Sequence, residues 1–249
     1  MLRKYRPKVI LLLLFTGACL FSEVSKCQAQ GAYPPFTKWY QDPLGLKPLE
    51  LSTAFGFVWG SAAVAASIFF TKENIALKKN MSAYYETGFT MGYKWPYTTS
   101  FQNDMGFMYN IRKWMSAGLG WISFRFNDKI NNTWCFGIRP FARWYPYKSK
   151  KVTLYFEYGA GMCYSLKQFP LTGTGWDADT GRTGTKFNLT SKYGIGAVFK
   201  CNDRFSLQFG IKHFHLSNGN IEGIKRNPSH DSNGLFLGLV YNTKSQQTE

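Results

Sequence analysis

The chain has 249 residues, of which 18% are aromatic, 18% are charged and 24 are glycines. This apolar and aromatic composition excludes an intrinsically disordered chain and fits one domain of moderate size. The 30 Lys and Arg residues outnumber the 14 Asp and Glu residues, for a formal net charge of +16, so nucleic acid, acidic lipid and lipopolysaccharide are all candidate anionic partners.

The first 29 residues carry the pattern of a cleaved secretory signal. Basic residues at positions 3, 4, 6 and 8 precede the apolar run 9–15, and a small-residue site follows at 27–29. This predicts a signal peptide over residues 1–29. Its removal takes away five cations and one anion and leaves 220 residues with a net charge of +12, and export argues against a nucleic-acid-binding role. The alternative, a lipoprotein signal ending at Cys19, lacks the usual leucine three residues before the cysteine.

Residues 30–81 are expected to form a periplasmic lead-in to the domain that follows. Within them, residues 51–70 are a 20-residue uncharged run without clear alternation. Its length would suit a transmembrane helix, but such a helix would retain the protein in the inner membrane, and Gly, Ala and Ser make the run only moderately apolar. We expect a helix packed at the periplasmic end of the domain or against the bilayer, with an extra pair of strands as the alternative.

From residue 82 to residue 242 the chain alternates apolar and polar side chains with the period of two that is typical of β-strands. In one run, Val152, Leu154 and Phe156 share an apolar face, opposed by Thr153 and Glu157. The pattern predicts eight strands, near residues 83–93, 104–112, 116–126, 133–145, 152–164, 186–199, 204–217 and 234–241. Strands of about 9 to 13 residues with one apolar face predict an eight-stranded antiparallel transmembrane β-barrel of the outer membrane. Residues 243–249 would form a C-terminal tail.

The connections predict how this barrel is oriented. Short turns at 113–114, 147–151 and 201–203 alternate with longer loops at 94–103, 127–132, 166–185 and 218–233. Since outer-membrane barrels have short periplasmic turns and long extracellular loops, both chain ends are expected in the periplasm. The alternative, a soluble sandwich or lipocalin-like barrel, would need a charged exterior, and the polar faces carry too much Gly and too little charge for that.

The polar faces of the strands are expected to fill the barrel. By phase, Glu86, Arg139, Arg143, Glu157 and Lys192 point inward, where ion pairing would reduce the cost of their burial. Because inward side chains fill an eight-stranded barrel, this interpretation argues against a pore.

Two cysteines lie on the polar faces of consecutive strands. A symmetric hairpin centred near residue 149 would set Cys135 and Cys163 directly opposite one another, close enough for a disulfide in an exported protein. Two buried free thiols are the alternative, and Cys201 is expected to be free.

A candidate catalytic pair closes the seventh strand. On a strand, positions i and i+2 share a face about 6 to 7 Å apart, so the imidazole of His215 could take the proton of the Ser217 hydroxyl. The phase of the strand places both residues, together with His213, on the outer wall near the outer rim, facing the outer leaflet. The alternatives are polar residues that merely cap a strand, and a metal site formed with His213 and His230, for which no recognised spacing motif is present.

A catalytic histidine also needs an acceptor that fixes its tautomer. Glu222 and Asp231 are the candidates in the loop after the seventh strand. We favour Asp231, because antiparallel strands return the far end of the loop to the rim beside His215, whereas Glu222 would need a tight reversal.

Residues 209–241 resemble the two closing strands of the PagL-type lipid A 3-O-deacylases, also called acyloxyacyl hydrolases, which are eight-stranded outer-membrane barrels. The resemblance rests on three groups of residues: His215-Leu216-Ser217-Asn218, Asn227-Pro228, and Leu235-Phe236-Leu237-Gly238 leading to Tyr241. It is sharpest over about 33 residues, and the remaining barrel agrees in strand count and topology.

The resemblance implies a serine esterase that hydrolyses an ester-linked acyl chain of lipid A without a cofactor or a metal. It implies Ser217 as the nucleophile, His215 as the base and Asn218 as the oxyanion-hole asparagine. Gly219 follows that asparagine, where the family usually has another small residue and then a glycine. Asp231 stands where the family usually has Glu.

Lipid A within lipopolysaccharide is the partner that this interpretation implies, in the outer membrane of a Gram-negative bacterium. Lys225 and Arg226 are expected to bind its phosphates, with Gly219 also near the substrate. The sequence leaves open which acyl chain is removed and whether the protein forms a homodimer. The alternative functions are a non-catalytic small barrel for envelope integrity or adhesion and, third, a metal-dependent hydrolase.

Overall fold

The computed structural model describes residues 62, 66, 81–92, 98–127, 132–171, 183–219, 221–223 and 226–243. Eight strands are present: β1 Met81–Gly92, β2 Thr99–Arg112, β3 Met115–Asn127, β4 Thr133–Lys148, β5 Val152–Leu171, β6 Thr183–Lys200, β7 Phe205–Ser217 and β8 His230–Asn242. Each strand pairs antiparallel with its chain neighbours, and β1 pairs with β8, so the barrel is closed. The prediction of an all-β, eight-stranded antiparallel barrel is confirmed.

The strands extend further than alternation predicts at the end opposite the short turns. β2 begins at Thr99, β5 continues to Leu171 and β8 begins at His230, all within segments expected to be loops. Backbone pairing carries these extensions, as in the partners Leu171 and Thr183. Asp231 therefore lies within β8 and not in the preceding loop.

An ion-pair network fills the middle of the lumen. Seven buried charged side chains form it: Glu86, Asp104, Glu157, Arg139, Arg143, Lys192 and Lys212. Each carboxylate contacts two of the cations; Glu86, for example, lies 2.8 Å from Lys192 Nζ and 2.7 Å from Lys212 Nζ. The five charged residues that phase predicts to point inward are all in this network, which confirms that prediction.

Apolar side chains occur both inside the barrel, where they pack against one another, and on its outer wall. Inside, near the end opposite the short turns, Phe126 stacks on Phe169 with ring centroids 3.9 Å apart, in a buried cluster with Phe124 and Phe214. Outside, large apolar side chains are exposed, as with Leu237 at 60%. A wall of this kind is suited to hydrocarbon rather than to water.

The disulfide prediction is wrong. Cys135 pairs across the β4–β5 ladder with Ser165, and Cys163 pairs with Gly137. The turn of this hairpin, residues 149–151, is centred on residue 150, and a turn centre displaced by one residue displaces cross-strand partners by two. Both cysteines are buried free thiols, and Cys135 Sγ lies 2.8 Å from Ser165 Oγ. Cys201 is free and exposed, as expected.

Little of the N-terminal third is among the described residues. Ala62 and Ala66 are helical, whereas the rest of the run 51–70, the signal peptide 1–29 and Cys19 lie outside the described residues. Across the parts of the chain that the structure describes, no helix has the length and apolar character needed to cross a membrane.

Candidate active site

The last five residues of β7 carry a row of three polar side chains on the outward face of the strand. Along this strand Leu207 and Phe209 are exposed on the outer wall, while Lys212 points into the lumen. The same alternation places His213, His215 and Ser217 on the outward face, at the end opposite the short turns. These three side chains are nevertheless buried, with only 1%, 6% and 4% of their surface exposed.

Pairing of β7 with β8 sets Asp231 directly opposite His215. The carboxylate Oδ1 lies 2.5 Å from His215 Nδ1, and Asp231 is completely buried. A carboxylate at Nδ1 holds the proton on that nitrogen and leaves Nε2 as the basic nitrogen. The other candidate acid, Glu222, is half-exposed and its Oε2 lies 3.7 Å from Arg226 Nε.

His213 brings a second imidazole to the same carboxylate. Its Nε2 lies 3.4 Å from Asp231 Oδ1, and its Nδ1 lies 2.9 Å from the side-chain oxygen of Asn233, its partner across the ladder. The ring also packs on Tyr193, with centroids 4.8 Å apart. The phase of β7 predicts His213 on this shared outward face, but its contact with Asp231 was not predicted.

The third histidine faces the other way. His230 points into the lumen, where its ring contacts Phe126 and Phe169 with centroids 5.1 and 5.7 Å apart. The three histidines therefore do not converge on one point. In the described part of the chain, no group of three or more His, Cys, Asp and Glu side chains is arranged to hold a metal ion.

The turn after Ser217 is held by two asparagines. The backbone N–H of Asn218 donates to the side-chain oxygen of Asn227 at 3.0 Å, and the Asn218 side-chain amide donates to the Arg226 carbonyl at 2.7 Å. The backbone N–H of Gly219 then donates to Ser217 Oγ at 3.3 Å. Gly219 has a φ of 65°, a conformation that favours glycine. Asn227 was part of the motif that carries the resemblance, but its contact with Asn218 was not predicted.

Of the two basic residues expected near the substrate, Lys225 and Arg226, the structure describes Arg226. Arg226 Nη1 donates to Thr183 Oγ1 at 2.5 Å, so its side chain lies over the start of β6 and is one-third exposed. Lys225 lies outside the described residues.

Comparison with known proteins gives one family and several barrels. The model of the lipid A 3-O-deacylase (PagL) family matches residues 83–240. The crystal structure of the outer membrane enzyme PagL is 15% identical, covers 64% of this chain and 97% of its own, and has a TM-score of 0.46. Neisserial surface protein A is 12% identical, covers 66% of this chain and 96% of its own, and has a TM-score of 0.43.

A third barrel, the attachment protein Ail of Yersinia pestis, is 13% identical, covers 66% of this chain and 97% of its own, and has a TM-score of 0.38. No curated protein sequence matches this chain. The family match runs from β1 to β8 and takes in more than half of the chain. This protein therefore belongs to the lipid A 3-O-deacylase (PagL) family of outer-membrane enzymes.

Proposed function

We propose that this protein is an outer-membrane serine esterase that hydrolyses an ester-linked acyl chain of lipid A, with Ser217, His215 and Asp231 as its catalytic residues. The observation that carries the proposal is the 2.5 Å contact between Asp231 Oδ1 and His215 Nδ1, on the outward row that also holds Ser217. Family membership supplies the substrate class, lipid A.

In the proposed reaction, Ser217 Oγ attacks the carbonyl carbon of the ester while His215 Nε2 takes the hydroxyl proton. Asp231 stabilises the imidazolium that forms. The ester C–O bond then breaks, the sugar oxygen leaves with the proton from His215, and the acyl group stays on Ser217. Water, deprotonated by His215, attacks this acyl-enzyme, releases the fatty acid and restores the serine.

The tetrahedral intermediate needs hydrogen-bond donors for its oxyanion. The Gly219 N–H, 3.3 Å from Ser217 Oγ, is one proposed donor. The Asn218 side-chain amide, which donates to the Arg226 carbonyl, is the other proposed donor. Asn227 supports this arrangement by holding the Asn218 backbone in place.

The outward position of the row suits a substrate that lies in the membrane. We propose that the end of the barrel with Ser217 meets the outer leaflet, so that an acyl chain of lipid A can lie along the apolar wall with its ester at the rim. Arg226, together with Lys225, would then bind the lipid A phosphates through charge-assisted hydrogen bonds.

Mass spectrometry of lipid A from cells that produce the wild type or Ser217→Ala tests this function. We expect the wild type to remove one acyl chain and Ser217→Ala to remove none. Ser206→Ala is the matched control, because Ser206 lies on the same strand but faces inward at the other end of the barrel, and it should behave as the wild type. Unchanged lipid A in cells with folded wild-type protein would instead favour a non-catalytic barrel, and loss of activity of the purified protein in a chelator would favour a metal-dependent hydrolase.

A further inference from the structure

The end of the barrel opposite His215 holds an open cavity of about 260 Å³. It lies in the mouth of the lumen, between the inward side chains of the strand ends and the hairpin turn 149–151. Polar residues line much of it: Ser82, Asn110, Tyr145, Ser149, Thr153, Ser206 and Asn242. Its volume is just below the roughly 300 to 1,000 Å³ of pockets that hold drug-sized molecules, so it would suit a small ligand.

Five basic residues also line this mouth cavity: Arg143, Lys148, Lys150, Lys151 and Lys200. Among the described residues that line it, none is acidic. In the described short turns a carboxylate is present at Asp203, which is 60% exposed and pairs with Lys200 Nζ at 2.8 Å. Among the described residues, the wall of the cavity therefore carries more positive than negative charge.

A β-bulge directs one of these lysines into the cavity. The β4–β5 ladder shifts its register between Trp144 and Tyr147, and Lys148 consequently pairs with Thr153, which faces the lumen. Without the extra residue, Lys148 would share the outward phase of Trp144. Bulges commonly re-aim side chains at barrel rims, and here the effect is to add a cation to the lumen.

The ion network below the cavity adds to the positive potential. It contains four cations and three carboxylates among the described residues, an excess of one positive charge. Arg143, which lines the cavity, belongs to this network and donates to Glu157 and Gln208. Charge at the bottom of a narrow, low-dielectric cleft is screened less than charge on an open surface, so it raises the local concentration of anions.

We propose that the mouth cavity is a binding site for a small phosphate-bearing anion. Several ammonium groups with serine, threonine and tyrosine hydroxyls suit the multiple charge and the several acceptor oxygens of a phosphate or diphosphate better than a single carboxylate. The site is at the other end of the barrel from Ser217, so this inference does not depend on the proposed esterase.

Calorimetric titration of the full-length, folded protein in zwitterionic micelles with inorganic pyrophosphate tests the site. We expect one saturable site per barrel, whose affinity falls as sodium chloride is raised. The double variant Lys150→Ser/Lys151→Ser removes two exposed turn lysines and should weaken binding at least tenfold. The control Lys167→Ser/Lys186→Ser removes two exposed lysines nearer the other end and should leave the affinity within twofold of the wild type.

Two results would overturn the proposal: no saturable binding by the folded wild type, or equal affinities in the turn variant and the wild type. A second arm distinguishes a free anion from a lipid headgroup, using protein reconstituted in phosphatidylcholine vesicles with and without phosphatidylglycerol. An unchanged pyrophosphate affinity assigns the site to free anions. Competition by phosphatidylglycerol that disappears in the turn variant assigns it to the phosphate of a headgroup.

Discussion

Asp231→Asn is the substitution that tests the proposed mechanism most directly. Asp231 is completely buried, and its Oδ1 lies 2.5 Å from His215 Nδ1. Asparagine has nearly the same shape but carries no charge, so it cannot stabilise the imidazolium that forms when His215 takes the Ser217 proton. Its amide can also donate to Nδ1, which would favour the tautomer that leaves Nε2 protonated and unable to act as the base.

The expected loss follows from the separation of the two charges. A 2.5 Å contact places the centre of the imidazolium charge about 4 Å from the carboxylate, where an effective dielectric constant of about 20 gives an attraction of about 4 kcal/mol. A barrier higher by that amount lowers kcat by about three orders of magnitude. The change of tautomer adds to this loss, so we expect kcat to fall by a factor of about 10³ to 10⁴.

The assay is the rate of fatty-acid release from purified lipopolysaccharide by the refolded protein in detergent micelles. Glu222→Gln is the control, because it alters only a half-exposed carboxylate 3.7 Å from Arg226, and it should stay within about twofold of the wild type. If Asp231→Asn kept more than a tenth of the wild-type rate while Glu222→Gln lost most of it, the assignment of the acid would be wrong. Circular dichroism of each variant checks that the barrel has folded.

Three further measurements follow from the described contacts. His213→Leu removes the polar ring whose Nε2 lies 3.4 Å from Asp231 Oδ1. If this contact contributes about 1.4 kcal/mol to holding the carboxylate in place, kcat should fall about tenfold, and an unchanged rate would show that His213 does not support Asp231. Glu86→Gln leaves two buried lysines less compensated and should lower the free energy of unfolding in denaturant by about 3 to 5 kcal/mol. Asp203→Asn breaks an exposed pair and should lower it by less than about 1 kcal/mol. Equal effects would show that the buried network stabilises the barrel no more than an exposed pair does. Thiol titration of the denatured protein should give the same count before and after reduction, since Cys135 and Cys163 are free. A count that rises by two on reduction would show that the two cysteines form a disulfide.

The strand number and the inward charges could be predicted because a membrane barrel leaves a strong signal at each position. Lipid on one side and a polar lumen on the other make every strand alternate, so phase alone predicts that Glu86, Arg139 and Lys192 face the lumen. The ion-pair partner of each charge could not be found in this way, because alternation indicates which face a residue occupies but not which residue lies across the lumen from it.

Register and the outer ends of the strands could not be predicted for a related reason. The partner of Cys135 depends on where the hairpin turn is centred. Moving the turn centre by one residue changes that partner from Cys163 to Ser165. At the far end, β8 starts at His230 because backbone pairing continues where the sequence no longer alternates. The sequence pattern also did not reveal that His213 and Asn227 contact the candidate site, since the first contact depends on the register of β7 with β8 and the second on how the loop between Asn218 and Asn227 folds.

The alternation of β7 links the ion network to the candidate site. Lys212 and Gln208 face inward and contact Glu86 of β1, while His213 and His215 face outward. A slip of β7 by one residue would place Lys212 on the lipid face. A slip by two residues would keep Lys212 inside but displace it by about 7 Å along the strand relative to Glu86. Either slip would leave buried carboxylates uncompensated, at a cost of several kcal/mol. The inward network thereby stabilises the one register in which the outward face sets Asp231 opposite His215.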